Sequence, residues 1–276
     1  MHRYPVPFVL EPKDFYRRYG YINADGQIEI EPRFRQALPF HDGLALVRDD
    51  DTGKEGFINR NGEYVIPPTF NKAFSFKDGM AKTDKGFIDT EGLIRIPADF
   101  DIHLAGHFSE GLCPIKVGGK YGYINKSGQW TIKPQFAHAS EFSEDLAVVQ
   151  IGRKQGYIDK RGRLVIKLVY SMAGNFNDKL AAVRRCRWGF MEAKHYGYID
   201  AQGREAIPAK FAWALDFRCG LAVVNIGGEW KNFLINGGRW GYIDQKGAYI
   251  APLMFDHATD FSEGFAAVKQ EGLFGF

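Results

Sequence analysis

Residues 19–26 read YGYINADG, and the phrase returns as YGYINKSG at 121–128, YGYIDAQG at 196–203 and WGYIDQKG at 240–247. With the first Gly of the phrase as origin, copies begin at Gly20, Gly56, Gly86, Gly122, Gly156, Gly197 and Gly241; an eighth, at Gly275, stops one residue later. The spacings are 36, 30, 36, 34, 41, 44 and 34 residues. Self-similarity at such a period is the signature of a chain built from stacked supersecondary units.

The same slots follow each origin in order. Fourteen residues on stands an aromatic: Phe34, Phe70, Phe100, Phe136, Tyr170, Phe211 and Phe255. Then comes Ala (Ala37, Ala73, Ala105, Ala139, Ala173, Ala214, Ala258) and a second Phe (Phe40, Phe76, Phe108, Phe142, Phe176, Phe217, Phe261). A short apolar strand closes the unit, as LALV at 44–47, LAVV at 146–149 and FAAV at 265–268.

The seven copies act as an internal alignment: slots that stay fixed carry structure, and slots that vary face solvent or a partner. Asp or Asn followed three residues later by Gly, as in Asn23/Gly26 or Asp159/Gly162, is a hairpin signal. The short polar side chain accepts a bond from the turn backbone and Gly takes the left-handed conformation that closes it. A strand such as GYIN precedes the turn and one such as QIEIEP follows, ended by a Pro that cannot donate to a ladder. With the LALV type this makes three antiparallel strands per unit. The Phe-x-x-Ala-x-x-Phe segment is either a bend or a short fourth strand, and its period of three favours the bend. No unit can cover its own apolar face, so the fixed aromatics are expected to form a core shared between neighbours.

Composition sets the outer bounds. The 276 residues are 45% apolar, 25% charged and 15% aromatic, with net charge +3, an ordinary globular balance that singles out neither nucleic acid nor membrane. No apolar run is long enough to cross a bilayer. The start, MHRYPVPFVLEPKDF, lacks the basic-then-apolar pattern of a secretory signal. Cys113, Cys186 and Cys219 are an odd, scattered set that reads as reduced thiols. Cys113 stands in a slot that is otherwise Ala and is expected to be a small buried residue. The expected location is cytoplasmic, with delivery outside the cell by a signal-independent route left open.

On these motifs the chain resembles the WG-repeat family, whose units begin Trp-Gly-aromatic-Ile-Asp. The match runs over about residues 19–276 and includes turn, Pro, Phe, Ala and final strand in order. Only Trp240 supplies the family's Trp; Tyr19, Tyr121, Tyr196 and Phe274 stand in for it, while Glu55, Lys85 and Gln155 do not. The resemblance implies a β-repeat module that binds other molecules and has no established activity. The expected organisation is a partial or capping unit over 1–18, then seven repeats and the first strand of an eighth over 19–276. The expected fold is all-β, a tandem array of about seven three-stranded antiparallel units closed into a propeller-like ring, with an open β-solenoid or superhelix as the alternative. VLEPKDF at 9–15 resembles a second strand and EGLFGF at 271–276 a first strand, so the two ends could pair and close the ring.

Two insertions interrupt the period. From the last Val of a third strand to the next origin the usual gap is seven residues, as from Val149 to Gly156; it is fourteen from Val183 to Gly197 and seventeen from Val224 to Gly241. Loops on a rigid frame commonly carry binding. The first insertion reads RRCRWGFMEAKHY (184–196) and the second NIGGEWKNFLINGGRW (225–240). Arg184, Arg185, Arg187, Trp188, Phe190, Trp230 and Phe233 are the candidate binding residues, because Arg and large aromatics dominate interaction hot spots. The competing reading is that the tips pack on each other and extend the sheet. Residues 150–190 hold ten Lys or Arg and two Asp, a net +8, which leaves −5 on the remaining 235 residues. Such a face suits an acidic protein partner or simply a solvated surface. Nucleic acid would also need interleaved stacking aromatics, and only Trp188 and Phe190 qualify.

Catalytic signatures are missing from the sequence. His103 and His107, beside Asp101, have a spacing that holds zinc on a helix but fall in a loop. His138 and His257 occupy one equivalent, surface-type slot. The acids of FSEG (108–111) and its relatives recur as turn residues and are not singled out as a hydrolase pair. No cofactor, metal or catalytic residue is assigned. The leading expectation is a non-catalytic protein-binding scaffold acting through the long hairpins of the fifth and sixth repeats. The alternatives are a ligand- or carbohydrate-processing enzyme with a central, acid-bearing pocket, and a targeting domain for a catalytic region elsewhere.

Overall fold

The computed structural model describes residues 6–9, 18–98, 104–186, 195–231, 234–261, 264–270 and 273–275. Among them there is no α-helix, and the strands form open antiparallel sheets in sequential order apart from one inserted hairpin. The chain divides into two compact units, Met1–Gly118 with Gly122–Pro134, and Gly119–Tyr121 with Gln135–Phe276.

In the first unit a six-stranded sheet runs Val6–Val9, Tyr19–Ile22, Ile28–His41, Leu44–Asp49, Glu55–Ile58, Tyr64–Phe70, followed by a three-stranded sheet of Met80–Thr83, Gly86–Asp89 and Ile94–Pro97. The second unit holds a seven-stranded sheet from His138–Ala139 through Leu146–Ile151, Lys154–Asp159, Leu164–Ala173, Leu180–Arg185 and Tyr196–Asp200 to Glu205–Phe211. It continues with a four-stranded sheet of Trp213–Ala214, Leu221–Ile226, Arg239–Asp244 and Tyr249–Phe255.

The three strands per repeat expected from the sequence are present, but hydrogen bonding offsets them from the phrase. Each third strand pairs with the first strand of the following repeat, as in Val149↔Gly156, Val183↔Gly197 and Val224↔Gly241. The Ala slot is a genuine, two-residue fourth strand rather than a bend alone: His138–Ala139 pairs with Gln150 and Val149, and Trp213–Ala214 with Asn225 and Val224. The long strand Leu164–Ala173 joins successive layers, since Tyr170 pairs with both Gln155 and Arg185. At the N-terminus Val6–Val9 pairs with Tyr19–Ile22, in the manner of a third strand meeting the next phrase. The pairing of 9–15 with 271–276 considered from the sequence falls largely outside the described residues.

Each fixed slot has a physical reason. In all seven turns the Asp or Asn side chain accepts two backbone N–H bonds; Asp159 takes those of Arg161 and Arg163 at 3.0 and 2.9 Å. The first Gly of the phrase is fixed by close approach: a Cβ on Gly156 would stand 2.5 Å from the carbonyl oxygen of Ile166, and one on Gly197 2.6 Å from that of Ile207, while Gly86 adds a positive φ of 123°. The second strand crosses there at a register shift, directly over the first.

The aromatic after that Gly packs on the second Phe. Ring centroids are 5.0 Å apart for Tyr21–Phe40, 4.7 Å for Phe57–Phe76, 5.1 Å for Phe87–Phe108, 4.9 Å for Tyr157–Phe176 and 4.8 Å for Tyr198–Phe217. The hydroxyls of Tyr21, Tyr157, Tyr198 and Tyr242 in this slot donate to the carbonyl just after the Ala slot, as Tyr157 to Gly174 and Tyr198 to Leu215, both at 2.8 Å. Phe70, Phe76, Phe136, Phe142, Phe176, Phe211 and Phe217 are all buried, so the expected core of fixed rings is present. Cys113 is fully buried in its Ala slot.

The acids of the FSEG-type turns link consecutive repeats. Asp42 accepts from Gly79 N at 2.8 Å, Asp78 from Gly111 N at 2.6 Å, Glu144 from Lys179 N at 2.9 Å and Asp178 from Gly220 N at 2.8 Å. In the sixth repeat Cys219 occupies that slot, and the neighbouring Arg218 pairs instead with Asp260 of the seventh at 3.5 Å.

Candidate functional site

The two insertions belong to the second unit. At the first, Leu180–Arg185 pairs with Tyr196–Asp200, and Cys186 N bonds Val169 O at 2.9 Å. Arg187, Trp188 and Phe190 lie outside the described residues. Arg184 is half-buried: its Nε donates to Ser171 Oγ at 3.2 Å and its guanidinium sits 5.2 Å from the centre of the Tyr196 ring. Arg185 is exposed beside a recess of about 120 Å³ that it lines with His195 and Glu205. Burial pushes the Tyr170 hydroxyl up, and the hydrogen-bonded Arg185 works against that shift.

The second insertion leaves the sheet as a separate hairpin, Glu229–Lys231 with Leu234–Asn236, in which Trp230 is the register partner of Ile235. Phe233 lies outside the described residues. The base of this hairpin is tied by Asn225, which is fully buried. Its Oδ1 accepts from Gly228 N at 3.1 Å and its Nδ2 donates to Gly237 O at 3.3 Å. A buried amide satisfied on both sides holds two chains in one register. Ile235 packs beside Trp213, Val223 and Trp240 in the core under the hairpin. Arg239 pairs with Asp256 across the base.

Of the basic set over 150–190, Lys160 pairs with Asp145 at 2.7 Å and Arg163 with Asp159 at 2.6 Å, while Arg153, Lys154, Arg161, Lys167 and Lys179 are exposed. Slight desolvation pushes the Asp159 and Asp200 carboxyls up, but the turn N–H groups and the adjacent Arg163 and Arg204 outweigh it and hold both below the ordinary value.

His107 packs edge-on against Phe74 at 5.8 Å; Asp101 and His103 lie outside the described residues. His138 and His257 are exposed, as expected, and stand against the first aromatic of the phrase, Tyr121 and Trp240, at 5.9 and 5.7 Å.

Two roles were not read from the sequence. Glu55 and Gln155, which replace the phrase's first aromatic, accept the backbone N–H of Ala73 and Ala173 at 2.5 and 2.7 Å, so they hold the fourth strand by hydrogen bond where a ring packs elsewhere. Lys82, buried in a third-strand slot that is Leu46 or Val148 in other repeats, donates to Ala105 O at 2.7 Å and lies 4.4 Å over the Phe74 ring. Comparison of the copies at that slot would have singled it out.

The fold and this surface define a tandem β-repeat protein whose period is set by Gly-aromatic-Ile hairpins. Seven matches to the WG containing repeat, at residues 19–52, 56–84, 86–121, 121–154, 156–185, 196–230 and 240–274, show that the chain belongs to the WG-repeat family. No curated protein matches it. A crystal structure of a eukaryotic initiation factor superposes with a TM-score of 0.57 at 11% identity, over 96% of this chain and 78% of that one, a likeness of fold alone. A protein of unknown function from Bacteroides caccae (TM-score 0.29, 14% identity, 90% and 93% covered) and the V. cholerae biofilm matrix protein Bap1 (0.30, 10%, 96% and 76%) fall below the score at which a shared fold follows. Family and fold together point to a repeat-based binding module.

Proposed function

We propose that this chain is a non-catalytic scaffold that binds a protein partner through the insertions of the fifth and sixth repeats. The observation that supports this reading is the hairpin over 229–236. It departs from the sheet, yet the buried Asn225 and the packed Ile235 fix its base. A rigidly based arm loses little conformational freedom on binding, which favours affinity. The exposed Arg185 and the basic residues before it suit an acidic partner surface, which they would attract over a Debye length of about 8–10 Å at ordinary salt. The acids of the hairpin turns and of the FSEG-type turns are engaged in turn and inter-repeat hydrogen bonds, which suits a structural role for them better than a hydrolytic one.

The test is capture of partners from the native host by the intact chain and by a chain carrying Arg184→Ala, Arg185→Ala, Arg187→Ala, Trp188→Ala and Trp230→Ala. The expected outcome is loss of specific capture with an unchanged unfolding transition. Capture that persists unaltered overturns the reading.

A further inference from the structure

The junction between the fifth and sixth repeats is built differently from its equivalents. Two slots govern it: the residue after the fixed Ala, and the third residue of the third strand. Elsewhere they hold Leu38 with Leu46, Phe74 with Lys82, Ser140 with Val148, Leu215 with Val223, and Thr259 with Ala267. In the third repeat Gly106 is met by Pro114, whose Cγ stands 2.7 Å from where a Cβ would be. In the fifth repeat the two slots are Gly174 and Ala182.

The result is a recess of about 200 Å³ at this junction. Tyr196 and Trp213 wall it, their rings 5.1 Å apart and edge-on. Asp216, Asp260 and Arg218 supply its charge. Asp216 is seated where only Gly174 leaves room, since a Cβ there would collide with its Oδ1. Arg218 meets Asp260 at 3.5 Å but is itself largely exposed. The Asp260 side chain is 37% exposed, with its Oδ2 towards Arg218, while its enclosed Oδ1 has no hydrogen-bond partner among the described residues.

We propose that this recess is a binding site for an organic cation, an alkylammonium or guanidinium group held by Asp216 and Asp260 against Trp213 and Tyr196. Two carboxylates and one guanidinium line the recess, and a second guanidinium, Arg184, lies against the Tyr196 ring, 5.2 Å from its centre. Charge-assisted bonds to carboxylates are the strong class of hydrogen bond, and aromatic walls favour a cation over a neutral group of the same shape. The volume admits a single head group on a short alkyl stem, below the usual range for larger ligands. Burial, and then the neighbouring Asp260, push the Asp216 carboxyl up to about 6 while Arg218 works against them, and burial raises Asp260 as well. A bound ammonium would reverse both shifts.

The group could arrive on a free polyamine or on the Lys or Arg side chain of a partner, and the experiment separates these sources. Putrescine, Nα-acetyl-lysine amide, Nα-acetyl-arginine amide and the neutral control n-butanol are titrated into the full chain near neutral pH, followed by calorimetry and by the Trp213 indole signal. The expected result is saturable binding of at least one cation and none of n-butanol. Binding should weaken at least about tenfold, about 1.4 kcal/mol, in Asp216→Asn, which keeps the shape, and in Ala182→Leu, which fills the space. Putrescine alone binding assigns a free amine; an acetylated amide binding assigns a side chain. Absence of saturable binding by every cation overturns the proposal, as does binding that both variants leave unchanged while remaining folded.

Discussion

Two junctions made from the same slots have opposite interiors. Between the second and third repeats, Phe74 and Lys82 fill the space, and the Lys82 ammonium is satisfied by Ala105 O and the Phe74 ring. Between the fifth and sixth, Gly174 and Ala182 leave it open, and Asp216 projects where His107 stands in the other. The frame around both is the same: a phrase aromatic against a second Phe, Phe87–Phe108 at 5.1 Å in one and Tyr198–Phe217 at 4.8 Å in the other. The difference teaches that the repeat separates what holds it together from what it displays. The rings and turns are common property, and the two slots between them are free to be plugged or left as a site.

That separation can be broken experimentally. The largest effect belongs to the shared frame: Phe108→Ala and Phe217→Ala should each cost about 3–5 kcal/mol in denaturant unfolding, and a large inequality between them would show that the frames are not equivalent. Next is the charge left open. With the Asp216 carboxyl near 6 in the folded chain against an ordinary 3.8, folding retains its proton over that window, so the contribution of Asp216 to stability falls as pH rises from about 4 to about 6 and is level above, opposite in sign to that of the lowered Asp159 and Asp200. Asp216→Asn should remove that slope and stabilise the chain by about 2–3 kcal/mol above pH 6, read from unfolding midpoints across the range. The filled junction should respond with the opposite sign. Lys82→Met keeps the stem but strands the buried Ala105 carbonyl, for a loss of about 1–3 kcal/mol at every pH where Lys is charged.

Two smaller substitutions sharpen the account of the frame. Tyr198→Phe removes the bond to Leu215 O and should cost about 1 kcal/mol, a modest figure consistent with Phe57 and Phe87 in the same slot. Asp200→Asn keeps the acceptor for Gln202 and Arg204 N–H and loses only the exposed Arg204 ion pair, so thermal unfolding should register about 0.5 kcal/mol or less.

How far the sequence revealed these features depends on how local they are. The Asn23- and Asp159-type turns, the strand order within a repeat and the buried rings were legible because each follows from a few adjacent residues repeated seven times. The reason for the phrase's first Gly was not, because it lies in the Ile166 carbonyl passing over Gly156, a register shift that sequence does not display. Glu55 and Gln155 looked like mere departures from the family pattern, since their partners are backbone N–H groups with no side-chain signature. The acids of the FSEG-type turns were legible as turn residues, but not their reach to the next repeat, because their partners are backbone N–H groups such as those of Gly79 and Gly220, 37 and 42 residues further along the chain. The recess draws on three repeats at once, so no single copy announces it.

The offset between sequence phrase and hydrogen-bonded sheet bears on how such an array can be lengthened or shortened. A cut placed just before the phrase, between Val149 and Gly156 for example, severs a hairpin whose two strands pair along their whole length. A cut placed in the bend between the Ala slot and the third strand, near Phe142 or Phe217, parts only a two-residue ladder. Splicing at those two bends therefore spares the longer ladders, whereas a cut at the bend after Leu164–Ala173 divides a continuous sheet.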